Sequence, residues 1–179
     1  MASIDDERIY LPDSPGNHLP HIFAYMHAVP MVKRKNVIDL CCGTGYGTRL
    51  LSESARAVLG LDYSEIAIDY CNSRALPNVD YNCADIEKYN FDGDIITCMQ
   101  GLEHLDNPKA LIAKNLDKPW IFALPYDRND TNEHHHHRIT PDLIQDWFSN
   151  KASIRYFDDS AQFVESIDFC TNFFGVYHP

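Results

Sequence analysis

Eleven residues constrain this chain more than any others: Val37-Ile38-Asp39-Leu40-Cys41-Cys42-Gly43-Thr44-Gly45-Tyr46-Gly47. An apolar run of this kind reads as a buried strand. It passes straight into three glycines at every second position, where backbone must turn tightly or approach a neighbour closely. The helix expected next begins with N–H groups that have no partner inside the helix and so point at whatever the loop holds. A buried strand, a glycine loop and a helix form the first unit of an open parallel sheet, whose ligands sit beyond the carboxyl ends of its strands.

The rest of the chain follows that unit. Strands are predicted over 36–41, 57–62, 78–83, 94–99 and 120–125, with helices over 18–31, 45–55, 65–74, 108–116 and 141–149. Pro20, Pro108 and Pro141 suit first helical turns, Pro30 suits a stop, and Ser64 and Thr140 suit caps. Alternation of strand and helix implies an α/β fold, a parallel sheet with helices on both faces. Three further strands near 152–157, 162–169 and 172–177 have only short links, which suggests an antiparallel C-terminal hairpin at the sheet edge. The 179 residues suit one domain over 1–179, with 1–17 an irregular arm.

Charge and cysteine usage narrow the partners. The net charge of −11 repels phosphate backbones, so nucleic-acid binding is disfavoured. Six cysteines at 41, 42, 71, 83, 98 and 170 form no Cys-x-x-Cys pair. They fall in apolar runs, as small buried hydrophobes do in a reducing compartment. No apolar run approaches membrane-spanning length and the N-terminus is acidic, so a cytoplasmic location with no membrane partner is expected.

What the loop holds can be narrowed from the same residues. Asp62 ends the second strand 23 positions after Asp39, close to the offset at which a carboxylate meets a ribose diol. An adenosine-type ligand is therefore favoured over a purely structural turn. No Gly-Lys-Ser/Thr follows the loop, which excludes a P-loop, and Gly43-x-Gly45-x-Gly47 differs from the dinucleotide spacing.

Four motifs in this order resemble the class I S-adenosylmethionine-dependent methyltransferases. They are Val37–Gly47, Asp62-Tyr63-Ser64, Ala84-Asp85-Ile86, and Gln100-Gly101-Leu102-Glu103-His104-Leu105-Asp106-Asn107-Pro108. The resemblance implies a Rossmann-like, seven-stranded, mostly parallel sheet and methyl transfer to an O or N nucleophile of a small molecule or sugar. It implies that S-adenosylmethionine is bound by Asp39, Cys41, Gly43, Gly45 and Tyr46, by Asp62 and Tyr63, by Asp85 and Ile86, and by Gln100. An acidic protein with a bare glycine loop suits that ligand, which carries a sulfonium and no phosphate.

The acceptor is less legible. His104 follows the fourth strand, and an imidazole is the side chain type that most readily serves as a general base near neutrality, although Glu103 and His104 equally suit holding the loop in place. The run His134-His135-His136-His137 precedes the Thr140-Pro141 helix. It suits a general base at His137, a metal ligand, or a solvated loop with one structural histidine. Gln100-x-x-Glu103-His104 also resembles the metal-binding Glu-x-x-Glu-His of small-RNA 2′-O-methyltransferases, which makes Glu103, His104 and His135 an alternative ligand set. The neutral Gln100 removes one charge from that set, so a metal-free site is the main expectation. A non-catalytic cofactor-binding scaffold is a further alternative. The arm, with Glu7-Arg8-Ile9-Tyr10, suits either a lid or a cover for the sheet edge. With no inserted cap, acceptor recognition falls to the arm, residues 126–139 and the last strands, or to a second copy or protein partner.

Overall fold

The computed structural model describes residues 18–74, 76–126 and 132–179, so the expected arm and part of the loop over 126–139 lie outside it. Strands β1 (Asn36–Leu40), β2 (Ala57–Asp62), β3 (Val79–Cys83), β4 (Ile95–Met99) and β5 (Trp120–Pro125) alternate with helices α2 (Tyr46–Ser52), α3 (Glu65–Asn72) and α4 (Pro108–Ala113). Helix α1 (Leu19–Ala28) precedes them. Helix α5 (Pro141–Trp147) and strands β6 (Ser153–Phe157), β7 (Phe163–Val164) and β8 (Asn172–Tyr177) follow. The side chains of Ser64, Asn107 and Thr140 accept from Ala67, Ala110 and Leu143 N–H, closing the first turns of α3, α4 and α5.

The sheet runs β3-β2-β1-β4-β5-β8-β6-β7. Strands β3 to β5 pair in parallel, while β8 is antiparallel to β5 and β6 is antiparallel to β8 and β7. The sheet therefore has eight strands where seven were expected. The predicted strand over 162–169 survives only as Phe163–Val164, because the Ser166 hydroxyl accepts from Asp168 N–H and turns the chain into a 3-10 turn over Ile167–Phe169.

Side-chain alternation sends the residues of the central strands to two covered faces. Val37, Val58, Ile95, Ile121 and Phe174 meet Tyr25 and Ala28 of α1 and Leu51 of α2. Ile38, Leu40, Ile96, Trp120 and Phe122 meet Leu111 and Ile112 of α4 and Ile144 and Trp147 of α5. Phe148, just past α5, lies nearly parallel to Phe122 with centroids 4.5 Å apart. Cover on both faces explains why the central strands β4 and β5 read as continuous apolar runs, whereas β3, at the sheet edge, alternates buried Val79 and Tyr81 with exposed Asp80 and Asn82. All six cysteines are free thiols. No helix among the described residues is long and apolar enough to cross a membrane.

Candidate functional site

Strand order reverses between β1 and β4, and a crevice opens there beyond the carboxyl ends of the strands. It encloses about 510 Å³, within the range of small-molecule sites. Its walls come from the four loops that follow β1, β2, β3 and β4, with α1 and the histidine run closing the remainder.

The β1 loop is shaped by left-handed backbone at Cys41 (φ 55°), Gly43 (φ 54°) and Gly45 (φ 74°). A β-carbon on Gly45 would also lie 2.7 Å from both Cys71 Sγ and Tyr81 Oη, so no larger residue fits. The β4 loop has the matching feature at Gln100 (φ 55°). Non-glycine residues in this region carry strain that the surrounding structure must hold, and here both stand at strand ends facing one cavity.

Asp62 anchors the first loop to the second. One carboxylate oxygen accepts from Gly43 N–H at 2.9 Å and the other from Ser64 N–H at 3.0 Å. Asp62 is buried among its neighbours but still forms part of the cavity wall. Asp85 is on the third wall, exposed, with Lys88 Nζ 2.6 Å from its Oδ2 and Glu87 N–H on its Oδ1. Those contacts, led by the Lys88 hydrogen bond, hold its carboxyl below the usual range. Cys41, Gly43, Tyr46, Asp62, Tyr63, Asp85, Ile86, Gln100 and His104 of the expected set all border the cavity.

Asp39, Gly45 and His137 do not border it. Asp39 lies behind the loop, fully buried, on the face of β1 that meets α1 and α2. It accepts from Thr48 Oγ1 at 2.7 Å, from its cross-strand partner Thr97 Oγ1 at 2.7 Å, and from Tyr25 Oη at 3.3 Å. Burial pushes its carboxyl up to about 6, the three hydroxyl donors offsetting only part of that and nearby Asp62 adding to it. A carboxyl with a raised folded pKa stabilises the fold fully below its ordinary pKa of 3.8 and loses that contribution as pH rises through about 6. The loss is on the order of 3 kcal/mol. Chemical denaturation between pH 4 and 7.5 is expected to show this slope in the wild type and not in Asp39→Asn. Identical slopes would mean that another group carries it.

The histidine run is knitted onto the short turn over Leu102–His104. His136 N–H donates to the Glu103 carbonyl, 2.8 Å, and His104 Nδ1 lies 3.0 Å from the His134 carbonyl. His137 Nε2 is 2.9 Å from the Leu105 carbonyl, and its ring meets Trp147 edge-on. His137 is thus turned into the packing between loop and α5, where it has no access to the cavity. Gln100 Nε2 donates to Asn172 Oδ1 on β8 at 2.8 Å, which ties the β4 loop to the antiparallel half of the sheet. Glu103, buried, with His104 and His135 offers three potential ligand atoms within 4.8 Å of one another.

Among the lining residues outside the expected set are His21 and Tyr25 on α1, and Asp106 and His136 at the rim. His21 and Tyr25 are four residues apart and so share a helix face, which is the signal by which the sequence could have paired them. Burial, then His18 and His104, push the His21 imidazole down to about 4, so it is neutral near pH 7. His136 Nδ1 lies 3.1 Å from Asp106 Oδ1.

The methyltransferase-domain family matches residues 37–116. The ubiquinone biosynthesis O-methyltransferase of Coxiella burnetii is 37% identical over 94 residues, which covers 49% of this chain and 40% of that protein. The chain thus spans less than half the length of that curated relative. Among solved structures, N-methyltransferase NodS from Bradyrhizobium japonicum WM9, in complex with S-adenosyl-L-homocysteine, superposes with TM-score 0.72 at 14% identity, over 94% of this chain and 90% of that one. A complex between the Haloferax volcanii Trm112 methyltransferase activator and a methyltransferase gives TM-score 0.74 at 14% identity, over 90% of this chain and 89% of that one.

Proposed function

We propose that this chain, a member of the class I S-adenosylmethionine-dependent methyltransferases, moves a methyl group from S-adenosylmethionine to an oxygen or nitrogen of a small molecule. One observation carries the reading: residues from each of the four motifs, brought together by the parallel half of the sheet, border one crevice of about 510 Å³. The fit to that ligand rests on the donor set. Asp62 offers a carboxylate beside the bare backbone of Gly43 and Thr44, Asp85 and Glu87 add acceptors on the third wall, and among the described residues no lysine or arginine borders the cavity. Such a wall suits a cation without phosphate.

When bound, S-adenosylmethionine supplies a methyl group on a sulfonium, which an O or N nucleophile displaces in line. The chain's part is chiefly positioning, since holding two reactants in line removes most of the entropy cost of their meeting. Asp62 and Asp85 would hold the nucleoside, and the loop from Cys41 to Tyr46 the amino-acid part. His104, after β4, borders the cavity and is the imidazole suited to take the acceptor's proton, whereas burial makes His21 on α1 too weak a base for that step. Oxygen is the favoured nucleophile, because the Coxiella relative is an O-methyltransferase. The Haloferax complex supports a second reading at the level of assembly, a protein partner that completes the acceptor side.

Calorimetric titration with S-adenosylhomocysteine tests the reading directly. One site per chain is expected, together with transfer of labelled methyl from S-adenosylmethionine to members of a panel of phenols, catechols and hydroxy acids. Absence of binding sinks it. Binding without transfer to any acceptor would favour a scaffold.

A further inference from the structure

We propose that Cys41, on the wall of the cavity, is a site of reversible oxidation by peroxides, with Cys98 as the thiol that closes it to a disulfide. The fold brings the two sulfurs together. Strands β1 and β4 pair in parallel with Leu40 opposite Cys98. Cys41 is one residue further on, so its Cα stands diagonally across from that of Cys98. Strand spacing and rise put the two roughly 6 Å apart, inside the range that disulfides span. Ordinary alternation would send Cys41 to the face opposite Leu40 and Cys98. The left-handed backbone at Cys41 (φ 55°) ends that alternation, and its side chain packs on the apolar cluster that contains Cys98. Both sulfurs also converge on one glycine. A β-carbon on Gly101 would lie 2.8 Å from Cys41 Sγ and 3.0 Å from Cys98 Sγ. The two thiols hydrogen-bond to each other.

The two thiols are chemically unequal. Cys98 is fully buried, and its hydrogen bond with Cys41, then burial, push its thiol well above the ordinary range. It stays protonated and away from solvent. Cys41 is partly exposed and borders the cavity, so a small polar oxidant entering there meets this sulfur first. The Cys41 sulfur attacks one oxygen of hydrogen peroxide, the O–O bond breaks, and a water leaves with the thiol proton. A sulfenic acid remains. The Cys98 sulfur then attacks Cys41, the S–O bond breaks, and the hydroxyl leaves as a second water with the Cys98 proton. Together the sulfurs give up two electrons, which reduce the peroxide. Cys42 and Cys71 make a second hydrogen-bonded pair beside the Gly43 carbonyl, at 3.8 and 3.4 Å, but both are buried.

The new bond ties the end of β1 to the end of β4, whose loops are two walls of the cavity. It draws the Cys41 corner toward β4 and away from a ligand. Oxidation therefore lowers affinity for the cofactor, and bound cofactor shields Cys41. This consequence rests on the methyl-transfer reading, whereas the thiol chemistry does not.

The test uses the full chain, reduced and then treated with hydrogen peroxide. Mass spectrometry should show the loss of two hydrogens, and peptide mapping should place the link between Cys41 and Cys98. Affinity for S-adenosylhomocysteine should fall at least tenfold, and dithiothreitol should restore it. Prior saturation with S-adenosylhomocysteine should slow the link. Cys98→Ala should form no link and leave Cys41 as a sulfenic acid that dimedone traps. Cys83→Ala, which removes the exposed thiol on β3, should behave as the wild type. Where Cys98→Ala fails to fold, mapping on the wild type decides alone. A Cys42–Cys71 link, oxidation confined to Cys83, or a linked chain with unchanged affinity overturns the inference. A reduced chain that binds S-adenosylhomocysteine yet forms no link rejects only this inference. A Cys41–Cys98 link in a chain that never binds S-adenosylhomocysteine rejects only the methyltransferase reading.

Discussion

Asp62→Ala should bind S-adenosylhomocysteine at least thirtyfold more weakly than the wild type while remaining folded. The carboxylate accepts two backbone N–H groups, one from Gly43 in the first loop and one from Ser64 at the start of α3. Hydrogen bonds to a charged group contribute about 1.5–3 kcal/mol each, and a donor left without its acceptor adds a similar cost. Alanine therefore removes the acceptor proposed for the ribose hydroxyls and releases the loop that faces them. Loss of the equivalent of about 2–4 kcal/mol in binding corresponds to thirtyfold to a thousandfold in Kd. Asp62→Asn separates the two contributions, since its single carbonyl can keep one of the two amides. Calorimetry on both variants, alongside their thermal midpoints, decides the matter. An unchanged Kd in a folded Asp62→Ala would move the ribose contact elsewhere.

The second large effect concerns the fold behind the loop. Gly47 of α2 faces the Tyr25 ring of α1 at close range. A β-carbon there would lie 2.1 Å from Tyr25 Cζ and 2.2 and 2.4 Å from its two Cε atoms. The ring cannot swing aside freely. It is buried, its hydroxyl bonds Asp39, and it meets the Tyr46 ring edge-on at 5.7 Å. Gly47→Ala must therefore lift α1 off the sheet. Overpacking of this kind costs about 1–3 kcal/mol or more, which for a chain of this size lowers the midpoint by roughly 3–10 °C. Because Tyr25 also borders the cavity, cofactor affinity should fall with it. Tyr25→Leu combined with Gly47→Ala should be less destabilised than the two single changes added together, since leucine vacates the space the new methyl needs. Strict additivity would show that the clash is relieved by another route.

Much of the framework was legible because it depends on short-range rules. The helix starts at Ser64, Asn107 and Thr140 follow from side chains that accept the first free N–H groups. Of the five parallel strands, β1, β2, β4 and β5 follow from apolar runs too short for helices, and β3 from a short alternation of buried and exposed residues. Residues 162–169 read as one strand because their apolar residues suit pairing, whereas the Ser166 turn that ends the strand at Val164 is a local polar contact invisible to periodicity. Asp39 shows the same limit at the site. Its place in the motif suggests contact with the ligand, yet its position in β1 turns it toward Thr48, Thr97 and Tyr25, and so toward supporting the loop from behind.

The histidine run divides most sharply between the two levels. Four adjacent histidines have one sequence environment, yet each meets a different partner: His134 lends its carbonyl to His104, His135 stands beside Glu103, His136 faces Asp106 and His137 packs on Trp147. What the sequence alone determined was the parallel sheet, the glycine loop and the class of ligand, because those rest on periodicity and on backbone freedom, which are local. Which side chains border the crevice, and which stand behind it, only the tertiary structure decided. Those assignments depend on the direction in which each Cβ leaves a strand or turn, and on contacts between segments thirty or more residues apart.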